Sequence, residues 1–231
     1  MFQRHCVTVE FMKSHPEFDW IFFLDADIAV INPRHRIEEF IDPNRHFDLI
    51  FYDRMYNWEI MAGSYLAKNT MYARDFLKYW AEFQPPDSFH GTDNGAIHEV
   101  FMHKFASQNQ TDNCDKIYFE SKDYSDLFKY EACVRHSLGE DTRDFVDKSG
   151  EGKVKILGKS RAWVRDGSVM VTDKWATNDF MVHGWKNSTM DLSGLLTLGH
   201  FPSKARTNLS YKLAESQKNK RSKKIGNTNQ S

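Results

Sequence analysis

The sequence predicts an α/β domain, with a mainly parallel central sheet and flanking helices, on three observations. First, Trp20-Ile21-Phe22-Phe23-Leu24 runs into Asp25-Ala26-Asp27 and resumes as Ile28-Ala29-Val30. A run this rich in aromatic and β-branched residues suits a strand covered on both faces, the setting of parallel sheets. Second, residues 48–52 and 60–67 are further short apolar runs. Third, helical apolar stripes alternate with them, most clearly over 71–83. With 231 residues and 40% hydrophobic content, the chain can bury one good-sized core.

Taken in order, residues 5–18 place Val7, Val9, Phe11 and Met12 at helical spacing and stop at His15-Pro16. This predicts a helix leading into a central strand over 20–31. Asn32-Pro33 ends that strand, because proline has no ladder donor. Residues 37–41 read as a short amphipathic helix closed by Asp42-Pro43. Residues 48–52 and 60–67 are the second and third strands, the latter containing Gly63. A glycine inside a strand marks a bulge or a close backbone approach to a ligand. Asn69-Thr70 caps a helix over 71–83 whose stripe is Tyr72, Phe76, Leu77, Tyr79 and Trp80, and Pro85-Pro86 follows it. Gly91-Thr92-Asp93-Asn94-Gly95 reads as a turn opening a helix over 96–105, and 107–116 as a polar loop. A helix over 124–136, a strand over 154–157 and a strand ending at Phe180-Met181-Val182 complete the series. The domain is expected to span 1–212. Residues 213–231, with Lys218, Lys220, Arg221, Lys223 and Lys224, are expected to form a basic, disordered tail.

A net charge of −1 argues against a nucleic-acid partner. No stretch reaches the ~18 uninterrupted apolar residues of a membrane span. The opening Met1-Phe2-Gln3-Arg4-His5 lacks the apolar segment of a signal peptide. As written the chain is expected to be soluble, and a secretory role would require targeting sequence upstream. Asn-x-Ser/Thr sequons at Asn109, Asn187, Asn208 and Asn229 are compatible with a secretory compartment. Cys6, Cys114 and Cys133 have no metal-ligand spacing and admit either one disulfide with a free thiol or three buried thiols.

The chemistry concentrates at three places. Residues i and i+2 of an extended chain project to one side, so Asp25 and Asp27 are expected to point together at the carboxyl end of their strand. Two convergent carboxylates suit a hard divalent cation, Mg²⁺ or Mn²⁺, which neutralises a diphosphate. Met181-Val182-His183-Gly184-Trp185-Lys186 is the second cluster. His183 fits as a third ligand beside carboxylates, and Lys186 can hold a phosphate as a point charge. The third is Asp93, displayed on its glycine-rich loop toward a substrate or else capping the next helix.

These clusters, in this order, resemble the GT-A-fold nucleotide-diphospho-sugar transferases over roughly residues 11–186. The likeness is strongest to a nematode-expanded group of predicted glycosyltransferases with galactosyl- and mannosyltransferase-like motifs. The aromatic–Leu24-Asp25-Ala26-Asp27 run is similar to that family's metal-binding Asp-x-Asp motif. Residues 59–69 are similar to its sugar-lining strand. Thr92-Asp93-Asn94 is similar to its acidic loop, and His183-Gly184-Trp185-Lys186 to its carboxyl-terminal histidine and lysine. The resemblance implies Mn²⁺ or Mg²⁺ held by Asp25, Asp27 and His183, with Asp25 also near the ribose. It implies a diphosphate on Lys186, with Gly63 and Gly184 at the donor, and Asp93 on the transferred sugar or acceptor hydroxyl. The implied reaction moves a hexose from a nucleotide diphosphate sugar to a glycan or glycoprotein hydroxyl. The implied compartment is the Golgi or secretory lumen, through an upstream anchor. Only 19 residues precede Trp20, so the family's base-binding βαβ unit is expected to be missing. The alternative is a non-catalytic sugar- or nucleotide-binding remnant. A phosphohydrolase with Asp25 as nucleophile fits less well, since Ile28 stands where Ser or Thr is expected and no later Asp-Asp pair occurs.

Overall fold

Helix α1 (Gln3–Ser14) opens a computed structural model that describes residues 2–167 and 178–184. His5, Thr8, Val9 and Met12, at i, i+3, i+4 and i+7, form its buried face. Val7 and Phe11 face solvent instead, so the expected apolar stripe is displaced by about a quarter turn. The chain then forms β1 (Trp20–Leu24) and β2 (Ile28–Val30), a 3₁₀ turn at Ile37–Phe40, β3 (Leu49–Tyr52) and β4 (Ser64–Lys68). Four helices follow: α2 (Met71–Glu82), α3 (Thr92–Phe105), α4 (Gln108–Phe119) and α5 (Tyr124–Leu138). Strands β5 (Arg143–Val146), β6 (Lys153–Leu157), β7 (Val164–Asp166) and β8 (Met181–His183) complete the described elements. None of the described helices is long and apolar enough to cross a membrane.

The α/β class is as the sequence predicts, but strand direction is not. The larger sheet runs β1-β4-β3-β6-β5 and only β3–β6 is parallel; the other three pairings are antiparallel. The apolar runs report burial on both faces, and two-faced burial does not require parallel neighbours. Alternation along the strands shows this. Leu49 and Phe51, Tyr65 and Ala67, and Val154 and Ile156 face α1, α2 and α3. Ile50, Tyr52 and Leu66 face the opposite side, against Trp163, Phe180 and Met181. Nor is β1 a central strand: among the described residues it lies at the sheet edge, half-exposed. The expected strand over 20–31 is two strands in different sheets, broken at Asp25-Ala26-Asp27.

The helix over 71–83 is found as α2, with Thr70 Oγ1 accepting from the Ala73 amide as its cap. The predicted polar loop over 107–116 is instead α4. Ser107 and Gln110 form a reciprocal capping box, and Thr111, Cys114 and Tyr118 form its buried face. Cys114 and Cys133 are joined in a disulfide that ties α4 to α5, while Cys6 is free and exposed. This decides between the two thiol arrangements the sequence left open. The predicted domain boundary at 212/213 and the basic tail lie outside the described residues.

Candidate metal centre

The second sheet builds the site by register. In β2–β8, Ile28 lies opposite His183, which puts Asp27 one residue beyond the pair. In β7–β8, Asp166 lies beside His183. Asp25 follows directly on β1, where its amide donates to the Gly63 carbonyl at 2.7 Å. One ligand atom from each of Asp25, Asp27 and His183 thus comes within 4.8 Å of the others. The two aspartates converge because a turn folds them together, not because an extended strand aims them.

The donor set fits a cation of intermediate hardness. Two carboxylates suit Mg²⁺ or Mn²⁺, and the imidazole tips the set toward Mn²⁺. His183 is oriented for ligation. Its Nδ1 lies 3.1 Å from Asp166 Oδ1, and Asp166, as an ionised carboxylate, can only accept. Arg54 Nη2 lies 3.4 Å from the same nitrogen, but the shorter contact decides the tautomer in the neutral ring. Nε2 then presents its lone pair toward Asp27 Oδ1, 3.4 Å away. A lone pair facing a carboxylate oxygen is the arrangement a bound cation reconciles.

Asp166 is itself held by Arg54, through Nη2 at 2.7 Å and Nε at 3.1 Å, and by the Met55 amide at 3.2 Å. Burial alone would raise its pKa, but the His183 hydrogen bond and Arg54 outweigh that and hold it down at about 2. Arg54 also donates to Glu59 Oε2 at 2.5 Å, so one cation spans two buried acids.

Arg4 of α1 links the triad to Asp93. Its Nη1 donates to Asp25 Oδ1 at 2.6 Å, and its Nε lies 2.7 Å from Asp93 Oδ2. Burial raises the Asp25 pKa against the opposing pull of Arg4. Asp93 is neither displayed on a loop nor the cap of the next helix: it is the second residue of α3, whose N-cap is Gly91, and is fully buried. Burial pushes its pKa up, but His5 (Nε2 at 3.4 Å) and Arg4 outweigh it, and the carboxyl is held below its usual range. His5, stacked on Trp80 with its Nδ1 3.2 Å from Tyr65 Oη, has its pKa lowered by burial.

Gly63, expected to mark a bulge or an approach to a ligand, makes room for a side chain of the protein itself. A Cβ there would sit 2.1 Å from Asp25 Oδ2. Gly184 has φ +87°, a backbone region that favours glycine, immediately after the histidine. Lys186 and Trp185 lie outside the described residues. Arg4, Arg54 and Asp166 are parts of the site that sequence reasoning missed. They lie far from the motifs along the chain, and no local spacing marks them.

Residues 1–195 match the family described as "Protein of unknown function, DUF273", and the chain belongs to that family. No curated protein matches the sequence. One solved structure with some likeness is described as the crystal structure of a glycosyltransferase involved in the glycosylation of the major capsid of PBCV-1. Its TM-score is 0.35 at 19% identity, over 43% of this chain and 50% of that one. At that level the likeness bears on neither fold nor chemistry here.

Proposed function

We propose that this member of the DUF273 family is a metal-dependent glycosyltransferase of GT-A-like architecture. It would move a hexose from a nucleotide diphosphate sugar to a hydroxyl of a glycan or glycoprotein. The observation that carries the reading is the convergence of Asp25, Asp27 and His183, with His183 oriented by Asp166, beside the Arg4–Asp93 pair. Asp27 and His183 hold Mn²⁺ or Mg²⁺, with Asp25 at the third position or on the ribose. The ion supplies charge compensation for the leaving nucleoside diphosphate. Asp166 fixes the imidazole, and Arg54 keeps Asp166 ionised. Asp93, fully buried, acts through Arg4, which it holds against Asp25, and does not itself touch the sugar or the acceptor hydroxyl. Lys186, three residues past His183, adds a cation for the diphosphate. Gly184 lets backbone and donor lie close, and Gly63 makes room for the Asp25 carboxylate.

A secretory lumen such as the Golgi is the proposed compartment. The Cys114–Cys133 disulfide supports it, because such bonds persist in oxidising compartments. So does the sequon at Asn109, which is exposed on α4. Titration calorimetry with UDP and Mn²⁺ tests the function. Binding is expected for the wild type only with Mn²⁺, and for Asp27→Ala not at all. UDP binding indifferent to both, or none by folded wild type, would overturn the reading.

A further inference from the structure

The loop that supplies Arg54 and Glu59 to the site also carries an aromatic plane that the site does not use. Trp58 is 45% exposed, although large aromatics are ordinarily mostly buried. It faces one side of α5, where Ser125, Phe128, Lys129 and Ala132 stand at i, i+3, i+4 and i+7. Between them lies a cleft of about 380 Å³, open to solvent. That volume is at the small end of ligand sites, about 300–1,000 Å³. Lys159 steadies the indole: its Nζ lies 4.5 Å from the Trp58 ring and donates to the Met55 carbonyl at 3.3 Å.

We infer that this cleft is a subsite for one pyranose ring of the acceptor. A sugar ring has an apolar C–H face and a rim of hydroxyls. The Trp58 and Phe128 rings match the face. The Ser125 hydroxyl and the Lys129 ammonium, itself held by Asp126 at 2.8 Å, match the rim. A lipid tail or an apolar peptide side chain would leave that rim unmatched.

The role as acceptor subsite rests on the proposed transferase reading, and chain geometry ties the two. Trp58 is four positions after Arg54, which limits their Cα separation to about 14 Å. Arg54 and the Met55 amide hold Asp166, and Asp166 holds His183. The loop that carries Trp58 is therefore tied through Arg54, Met55 and Asp166 to the metal centre, which the cleft does not line.

The test is ¹⁹F NMR of the full chain labelled with 5-fluorotryptophan, with the Trp58 resonance assigned by Trp58→Phe. It is titrated with lactose, α-mannobiose, xylobiose and a chondroitin disaccharide, the last separating acidic from neutral sugars. Mn²⁺–UDP binding is measured in parallel on the same proteins. At least one sugar is expected to shift the Trp58 resonance saturably. Phe128→Ala is expected to weaken that sugar about tenfold or more and Trp58→Ala to abolish its binding, both leaving Mn²⁺–UDP binding intact. If Mn²⁺–UDP binds while no sugar moves Trp58, the subsite is overturned and the transferase reading stands. If a sugar seats at Trp58 while Mn²⁺–UDP does not bind, the subsite stands as a sugar site and its acceptor role falls with the transferase reading.

Discussion

The metal centre and the disulfide-linked pair α4 and α5 both bury acidic side chains, but by opposite means. At the centre, Asp93 and Asp166 are almost wholly buried and each contacts a guanidinium and an imidazole. Burial opposes their charge, and these partners outweigh it, so both carboxyls sit below their usual range. On α5, Glu131 is just as buried, yet no hydrogen-bond partner reaches it, because Arg54 is committed to Glu59 and Asp166. Burial and the neighbouring Glu59 push it up to about 9. Asp115 on α4 is pushed up to about 7 by burial and Glu99. One region stores negative charge where a divalent cation can use it. The other suppresses charge and relies on packing and a covalent link.

If that contrast holds, removing the cation from the first region is the most damaging change. Arg54→Met leaves Glu59 and Asp166 buried without their cation and is expected to cost about 3–5 kcal/mol in urea unfolding. A loss under ~1 kcal/mol would mean the two acids are neutralised in some other way. Next in size is the paired change Cys114→Ser with Cys133→Ser, which opens a loop of 19-residue separation. It should cost about 3 kcal/mol and leave Mn²⁺–UDP binding as it was. Loss of that binding would show that the helical pair and the centre are one energetic unit. Smaller again is Asp166→Asn, which keeps the shape but loses the charge that orients His183. The Kd for Mn²⁺, read from metal-induced Tm shifts, should rise about 10–100-fold. An unchanged Kd would remove Asp166 from the site.

The same contrast marks what could be read from the sequence. Asp25, Asp27 and His183 were legible because carboxylates one residue apart interrupt an apolar run at 20–30 and the histidine ends another at 180–182, and the structure brings them together. Their partners were not. Arg4 and Asp166 reach the site from 21 residues before Asp25 and 17 before His183. Only the tertiary fold brings those separations together. Strand direction was misread because apolar runs such as 49–52 encode two covered faces, and both parallel and antiparallel neighbours provide them. Helix α4 was legible and overlooked: Ser107 and Gln110 are a capping-box pair. Its polar composition drew attention from Thr111, Cys114 and Tyr118 on one face.

Glu131→Gln sharpens the comparison most directly, though its effect is the smallest. Glu131 titrates at about 9 in the folded chain against an ordinary value of 4.5. A carboxyl raised on folding contributes fully below pH 4.5, and that contribution drains away as pH rises toward 9, because the unfolded chain releases the proton first. Glutamine has the neutral shape and no proton to lose. The variant should therefore match wild type in thermal unfolding at pH 5 and exceed it at pH 8, by roughly 2 °C or more. Asp93 and Asp166 predict the reverse slope in a lower window, since stability from lowered carboxyls is complete above their ordinary value of 3.8 and is lost as pH falls below it. A Tm difference that stays flat between pH 5 and pH 8 would mean that Glu131 is ionised in the fold. A cation must then reach it, and the division between a charged centre and a neutral helical pair would not hold.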